Sequence, residues 1–96
     1  LPRFVDVVST SPARLMGLAS KGRLEPGADA DIVVIDPTDE RLIKTRNLHP
    51  KADCTPYEGM VVRGWPRHVW LRGEPIIFGR QLSGYAGQGR FVPRTL

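Results

Sequence analysis

The sequence is short of several features that would define a class of protein. Cys54 is the one cysteine, so no internal disulfide can form, which favours a reducing and therefore cytoplasmic environment. No apolar run approaches the roughly 20 residues that span a bilayer, and we expect no membrane association. Residues 1–4 include neither an initiator methionine nor the apolar stretch of a signal peptide, so we expect the interior of a longer chain.

Acidic residues are scarce in the second half of the chain. Residues 61–96 contain six arginines and one acidic residue, Glu74, whereas residues 1–60 contain eight basic and nine acidic residues. A basic surface of this kind can bind a polyanion. Arginines spread over 36 residues without a lysine cluster are also typical of a solvated sheet face or a subunit contact.

Motifs for catalysis and metal binding are missing as well. His49 and His68 stand outside any H-x-H or H-E-x-x-H spacing, and no second thiol accompanies Cys54. The serines lack a G-x-S-x-G elbow, and the glycines at 84, 87 and 89 follow no strand and open no helix. The sequence therefore predicts no metal site and no catalytic residue in this chain.

Three aspartates, Asp29, Asp31 and Asp36, are close enough together to suggest a cation loop. They lack the glycine and the closing glutamate of an EF-hand, and apolar strand residues stand between them. We interpret them as turn residues and strand-end caps.

The first third of the chain reads as helix followed by strand. Apolar spacing predicts helix over residues 3–19, as two short helices in series with Ser11 as N-cap and Pro12 at N1. The β-branched run over residues 30–36 predicts a strand covered on both faces and closed by Pro37. Residues 42–45 form a weaker strand candidate.

The remaining residues predict a loop, more strands and a tail. Residues 47–59 have the composition of an irregular loop, and residues 61–65 and 68–71 return to β character. Residues 74–78 follow a tight Arg72-Gly73 link, which indicates a hairpin with Pro75 near a strand start. The glycine-rich tail from residue 79 predicts no regular element.

The stretch over residues 56–73 combines two tryptophans, a histidine and three arginines, as in surfaces that bind single-stranded nucleic acid. Alternation in a strand places Val69 and Leu71 on one face and His68, Trp70 and Arg72 on the other. A tryptophan that covers a neighbouring layer explains this pattern without a ligand, so the sequence disfavours nucleic acid as a partner.

Two stretches together resemble one enzyme family. STSPARLMGLASKGRLEPGADADIVVIDP, residues 9–37, resembles the amidohydrolase superfamily segment in which a last barrel helix leads into a G-x-D-A-D-hydrophobic strand. LHPKADCTPYEGMVVRGWPRHVWLRGEPI, residues 48–76, with GRFVPR at 89–94, is similar to the C-terminal region of the hydantoinase, dihydropyrimidinase and allantoinase group.

The resemblance implies a metal-dependent hydrolase that opens a cyclic amide, with two divalent ions, usually zinc, at the mouth of a (β/α)8 barrel. The ligands of that family are carried by barrel strands, and none has a matching position here. The implied fold is mainly β with one or two short N-terminal helices, as the C-terminal part of the small β-sandwich-like domain that accompanies the barrel.

The resemblance also implies a division of the chain and its partners. Residues 1–20 would end the barrel, residues 21–78 would belong to the small β domain, and residues 79–96 would form an extended tail. The partners would be the N-terminal and barrel part of the same enzyme and further copies of it, in a dimer or tetramer.

Two groups of residues are candidates for these contacts. Tyr57, Glu58 and Gly59 form a proline-preceded turn that we expect at the barrel or at a subunit interface. We expect the tail residues Arg90, Phe91 and Arg94 to contact a neighbouring subunit. Two alternatives stay open at this point, namely a segment of a non-enzymatic dihydropyrimidinase-like interaction protein and an independent basic binding module.

Overall fold

A helical segment precedes a four-stranded antiparallel sheet in the computed structural model, which describes residues 1–48 and 51–95. The prediction of a mainly β chain with a short N-terminal helix is confirmed. The elements in chain order are α1 (Pro2–Val5), a π turn (Asp6–Thr10), α2 (Ser11–Leu15), β1 (Ile32–Leu42), a 3-10 turn (Thr45–Asn47), β2 (Val61–Leu71), β3 (Glu74–Phe78) and β4 (Gln81–Leu82).

The two predicted helices are present, but they join without a break. Ser11 has helical backbone angles, φ −66° and ψ −45°, and its N–H donates to the carbonyl of Asp6, so it is not an N-cap. Pro12 has no N–H to donate, and a π turn directly before it accommodates the missing hydrogen bond. The Ser11 hydroxyl donates to the Asp6 carboxylate at 2.7 Å and reinforces this turn.

The helix ends at a glycine in the left-handed conformation. Gly17 has φ 69°, its N–H donates to the carbonyl of Arg14 at 3.1 Å, and the N–H of Leu18 donates to the carbonyl of Ala13 at 2.9 Å. These two bonds form a Schellman motif, which satisfies carbonyls that a helix end leaves unpaired. The helix therefore ends at Leu15, earlier than the predicted span of residues 3–19.

Strand β1 is longer than predicted. Pro37 does not close it, because the strand continues to Leu42 after an irregularity between Asp36 and Glu40. Asp36 accepts the backbone N–H of Thr38 at 2.9 Å, which shapes that irregularity. A proline is tolerated here because β1 lies at an edge of the sheet. The separate strand predicted over residues 42–45 is wrong, since those residues end β1 and begin the 3-10 turn.

Strand β2 joins two predicted pieces into one strand. Val34 pairs with His68 and Ile35 pairs with Pro66, so Arg67 is an extra residue in a bulge. Pro66 lies in a central strand, where a proline is expected only at such an irregularity. The bulge explains why the sequence looked like two shorter strands.

Two tight turns connect β2 to β3 and β3 to β4. Arg72 and Gly73 have φ 48° and 81°, a pair of positive values typical of a type I′ turn, so the predicted hairpin is confirmed. Gly79 and Arg80 have φ 57° and 68° and lead into β4. The prediction of a tail without regular structure is wrong at residues 81–82, where the second turn aligns the chain for pairing.

His68 and Trp70, from the basic and aromatic stretch, pack with Phe78 of β3 on one face of the sheet. The ring centroids of His68 and Phe78, on neighbouring strands, are 4.6 Å apart, and those of His68 and Trp70 are 5.6 Å apart. The N–H of Gly79 donates to His68 Nδ1 at 3.0 Å. The alternation predicted for His68 and Trp70 is confirmed, and cross-strand packing of aromatic rings accounts for these residues.

The described residues bury very little. Ala13 and Gln88 are the two buried residues among them. The accessible surface is 7734 Å², whereas a compact monomer of this mass exposes about 5,500 Å². Val33, Val34 and Ile35 of β1 are 54%, 43% and 49% exposed. Both faces of β1 are therefore open, so the predicted cover is not supplied by the part of the chain that the structure describes.

Polar contacts connect the helical segment to the sheet. No Cα of the helix lies within 8 Å of a strand Cα in residues 1–48 and 51–95. Instead, Lys21 Nζ lies 2.9 Å from the Asp29 carboxylate and 2.5 Å from the Asp31 carboxylate. The backbone N–H of Arg72 donates to the same Asp31 side chain at 2.9 Å.

This cluster changes the acidity of its members. Hydrogen bonds to the two carboxylates raise the pKa of Lys21 above 10.5, and the bond from Lys21 lowers the pKa of Asp29 below 3.8. Partial burial acts to raise the pKa of Asp31, but the hydrogen bonds from Lys21 and Arg72 outweigh it and the pKa is lowered. The interpretation of Asp29 and Asp31 as structural residues is consistent with these contacts.

We expect Lys21→Met to lower the melting temperature of the intact protein by several degrees, because it leaves two neighbouring carboxylates without their cation. The lowered pKa values of Asp29 and Asp31 mean that the Lys21 contribution is present above pH 3.8 and is lost as the pH falls further. The raised pKa of Lys21 means that it is also lost well above pH 10.5. Thermal unfolding at pH 3, 7 and 9 measures the difference in melting temperature between the wild type and the Lys21→Met variant.

The matched control is Arg23→Met, which removes a neighbouring ion pair to Glu25 whose side chains are 46% and 57% exposed. Exposed pairs contribute little to stability, so this variant should melt like the wild type. Equal melting temperatures for the Lys21 and Arg23 variants at pH 7 would contradict the role of the cluster.

Candidate functional site

The turn that contains Tyr57, Glu58 and Gly59 is fixed to the 3-10 turn by one carboxylate. Glu58 Oε2 accepts the backbone N–H of Thr45 at 2.7 Å and its hydroxyl at 2.8 Å. The hydroxyl bond, followed by the backbone bond, lowers the pKa of Glu58 below its ordinary value. Glu58 thus caps the start of the 3-10 turn and has a local structural contact.

Gly59 extends the pairing of β1 and β2. Its N–H donates to the carbonyl of Ile43 at 2.9 Å, and the N–H of Ile43 donates to the carbonyl of Met60 at 2.8 Å. Gly59 has φ 84°, a conformation that favours glycine. The turn is therefore tied down on both sides of Tyr57, whose side chain is 58% exposed.

The tail residues Arg90, Phe91 and Arg94 lie between two points of attachment. Gln88, before them, is 8% exposed and contacts the β2–β3 turn. The N–H of Thr95, after them, donates to the carbonyl of Gly17 at 2.7 Å. Phe91 itself is 91% exposed. The structure does not bring these three residues together with Tyr57 into one site.

The described residues do not offer a metal site. No three histidine, cysteine, aspartate or glutamate side chains gather within residues 1–48 and 51–95. His68 Nδ1 already accepts the Gly79 N–H, and Asp36 accepts Thr38. His49 lies outside the described residues.

Sequence reasoning missed three residues that organise the structure, Lys21, Arg72 and Gln88. Lys21 and Arg72 looked like ordinary surface charges, because their acidic and carbonyl partners are distant in sequence. Gln88 stands in a glycine-rich stretch where no periodicity marks a buried position. Arg72 had one available signal, its place beside Gly73 in a predicted two-residue turn.

None of the helices in the described residues has the length and apolar character needed to cross a membrane.

Comparison with known proteins identifies similar sequences over nearly the whole chain. The profile of the amidohydrolase family matches residues 1–76. The chain is 46% identical to D-hydantoinase of Geobacillus stearothermophilus over 96 residues, which are 99% of this chain and 20% of that protein. It is 45% identical to D-phenylhydantoinase of Escherichia coli K12 over 93 residues, 96% of this chain and 20% of that enzyme.

Solved structures agree with the sequence comparison. Dihydropyrimidinase from Brevibacillus agri superposes with a TM-score of 0.94 at 43% identity, over 99% of this chain and 21% of that one. L-hydantoinase from Arthrobacter aurescens superposes with a TM-score of 0.91 at 30% identity, over 98% of this chain and 21% of that one.

The chain spans about a fifth of the length of the relatives it matches. The resemblance to the hydantoinase and dihydropyrimidinase group is confirmed, and the alternatives of a non-enzymatic relative and a basic binding module are not favoured. With a family profile over residues 1–76 and close superposition on two of these enzymes, the chain belongs to the amidohydrolase family.

Proposed function

We propose that this chain is the C-terminal segment of a metal-dependent hydrolase that opens the C–N bond of cyclic amides of the hydantoin or dihydropyrimidine type. The observation that carries the proposal is the 46% identity to a D-hydantoinase over 99% of the chain. The similarity extends from the helix through the sheet into the tail, so it is not confined to one motif.

The work of this segment in the enzyme is structural. The family resemblance implies two zinc ions held by residues of the barrel strands, and the described residues of this chain gather no cluster of metal ligands. The residues described here do not fit such a metal, and no catalytic step is assigned to them.

The exposed apolar surface supports a role in completing a larger fold. β1 is an edge strand with both faces half exposed, and an open apolar edge of this kind is a site for association. We place residues 1–20 at the end of the barrel, residues 21–78 in the small β domain and residues 79–96 in the tail. Strands from the N-terminal part of the same enzyme then cover β1.

Subunit contact is the second proposed role. Tyr57 on its tethered turn and Phe91 between Arg90 and Arg94 offer aromatic groups to a partner surface, and aromatic and arginine side chains are enriched at such interfaces. The enzyme is then a dimer or tetramer in the cytoplasm, which agrees with a free and exposed Cys54.

Hydrolysis of cyclic amides by the intact protein tests the proposed activity. The zinc-loaded protein should convert hydantoin or dihydrouracil to the ring-opened carbamoyl acid, measured by chromatography, and a chelator should abolish the conversion. Allantoin serves as the third ring substrate of the group. The proposal would be contradicted if the metal-loaded protein opened none of the three rings.

Truncation of Tyr57 tests the proposed interface. We expect Tyr57→Ala in the intact protein to weaken subunit association by roughly tenfold, the effect of removing an interface aromatic worth more than about 1 kcal/mol. Analytical ultracentrifugation measures the association, and turnover is followed in parallel because the turn could instead contact the barrel.

The matched control is Glu25→Ala, which truncates a side chain of similar exposure, 57%, outside this turn and outside the tail. That variant should assemble and turn over like the wild type. Unchanged assembly together with unchanged turnover in Tyr57→Ala would overturn the interface role, whatever the substrate of the enzyme.

A further inference from the structure

Residues 83–95 contact the sheet at one end and the helix at the other. At the start, the N–H of Ser83 donates to the carbonyl of Ile76 at 2.9 Å and its hydroxyl donates to the carbonyl of Pro75 at 3.0 Å. At the end, the N–H of Thr95 donates to the carbonyl of Gly17. The stretch therefore bridges the helix and the sheet, which do not pack on each other in the described residues.

Gln88 is the centre of the attachment to the sheet. Its Nε2 donates to the Glu74 carboxylate at 3.3 Å, and its Oε1 accepts the N–H of Tyr85 at 3.3 Å. Its backbone carbonyl accepts Arg72 Nη2 at 2.5 Å. Both ends of a buried amide are thus satisfied, which is the condition for burying a polar side chain at low cost.

The attachment to the helix requires close backbone approach. A Cβ atom on Gly17 would lie 2.2 Å from the carbonyl oxygen of Thr95. Only glycine permits both this approach and the positive φ of the helix end. The same glycine therefore ends the helix and receives the tail.

Arg72 carries two of these connections at once. Its N–H binds Asp31 and its guanidinium binds Gln88. Its φ of 48° is a conformation that a glycine or asparagine adopts more easily. The side-chain contact explains why an arginine is found at this position. A glycine would keep the turn but would lose the contact to the tail.

We infer that residues 83–95 act as a strap that fixes the helical segment relative to the sheet, with Gln88 and Arg72 as the positioning residues. The two attachments belong to one continuous stretch of chain. Loss of the attachment at Gln88 should therefore also loosen the attachment at Thr95. The inference rests on contacts within this chain and stands whether or not the protein hydrolyses cyclic amides.

Hydrogen exchange of the intact protein, followed by mass spectrometry, tests the strap. Arg72→Gly keeps the turn conformation and the N–H to Asp31 and removes the side-chain hydrogen bond to Gln88. We expect peptides that contain Thr95 to exchange roughly tenfold faster in this variant, as loss of a hydrogen bond to a charged group would give. Gln88→Ala, the second variant, should produce the same change.

The matched control is Arg80→Gly. Arg80 also has a positive φ, 68°, in a two-residue turn, but its side chain pairs with Asp36 and Asp39 and not with the strap. Thr95 should exchange at the wild-type rate in this control.

Three results would overturn the strap. One is a wild-type exchange rate at Thr95 in both Arg72→Gly and Gln88→Ala. Another is faster exchange confined to residues 83–88, since the two attachments would then act separately. The third is faster exchange that includes β2 in both variants, because these residues would then hold the sheet itself.

Discussion

The carboxylate of Asp31 joins the segment that follows the helix to the sheet, two parts of the chain whose helix and strands do not pack on each other in the described residues. It accepts Lys21, which follows the helix, and the N–H of Arg72, in the turn between β2 and β3. Since the helix and the strands stay apart in the described residues, their relative position depends on polar contacts of this kind. Hydrogen bonds are directional, so a few of them can set a geometry that a small apolar contact would leave loose.

As a consequence, the contacts that orient the elements of this chain are not the contacts that bury its apolar side chains. The polar contacts orient the helix, the sheet and the strap, whereas Ala13 is the one apolar side chain buried among the described residues. Burial of apolar surface is the main favourable term in folding. Large apolar side chains on both the helix and β1 remain open, among them Leu15 at 79% and Val33 at 54%. We attribute their burial to the remainder of a hydantoinase-like enzyme.

The sequence predicted the family and the local elements better than their connections. Alternation in β2 and the Arg72-Gly73 turn are local patterns, and the structure follows them. The bulge at Pro66 and the π turn before Pro12 were missed, because each is a response of the backbone to a proline whose neighbours compensate.

The candidate sites were predictable only in part. Tyr57 is exposed on a turn, as its proline-preceded position suggested, but the cap that Glu58 forms on Thr45 depends on a contact across 13 residues. The roles of Lys21, Arg72 and Gln88 depend on contacts that link distant segments, and composition gives no sign of such contacts. The sequence predicted that both faces of β1 are covered. The described residues of this chain do not include strands that could cover them.

Calorimetry of the 96-residue chain alone most directly tests the claim that its burial is completed from outside. We expect weak or absent cooperative unfolding and a heat capacity change well below that of a self-sufficient domain of this length, about 1.2–1.5 kcal/mol/K per 100 residues. A monomeric chain that unfolds cooperatively with a heat capacity change of that full size would contradict it.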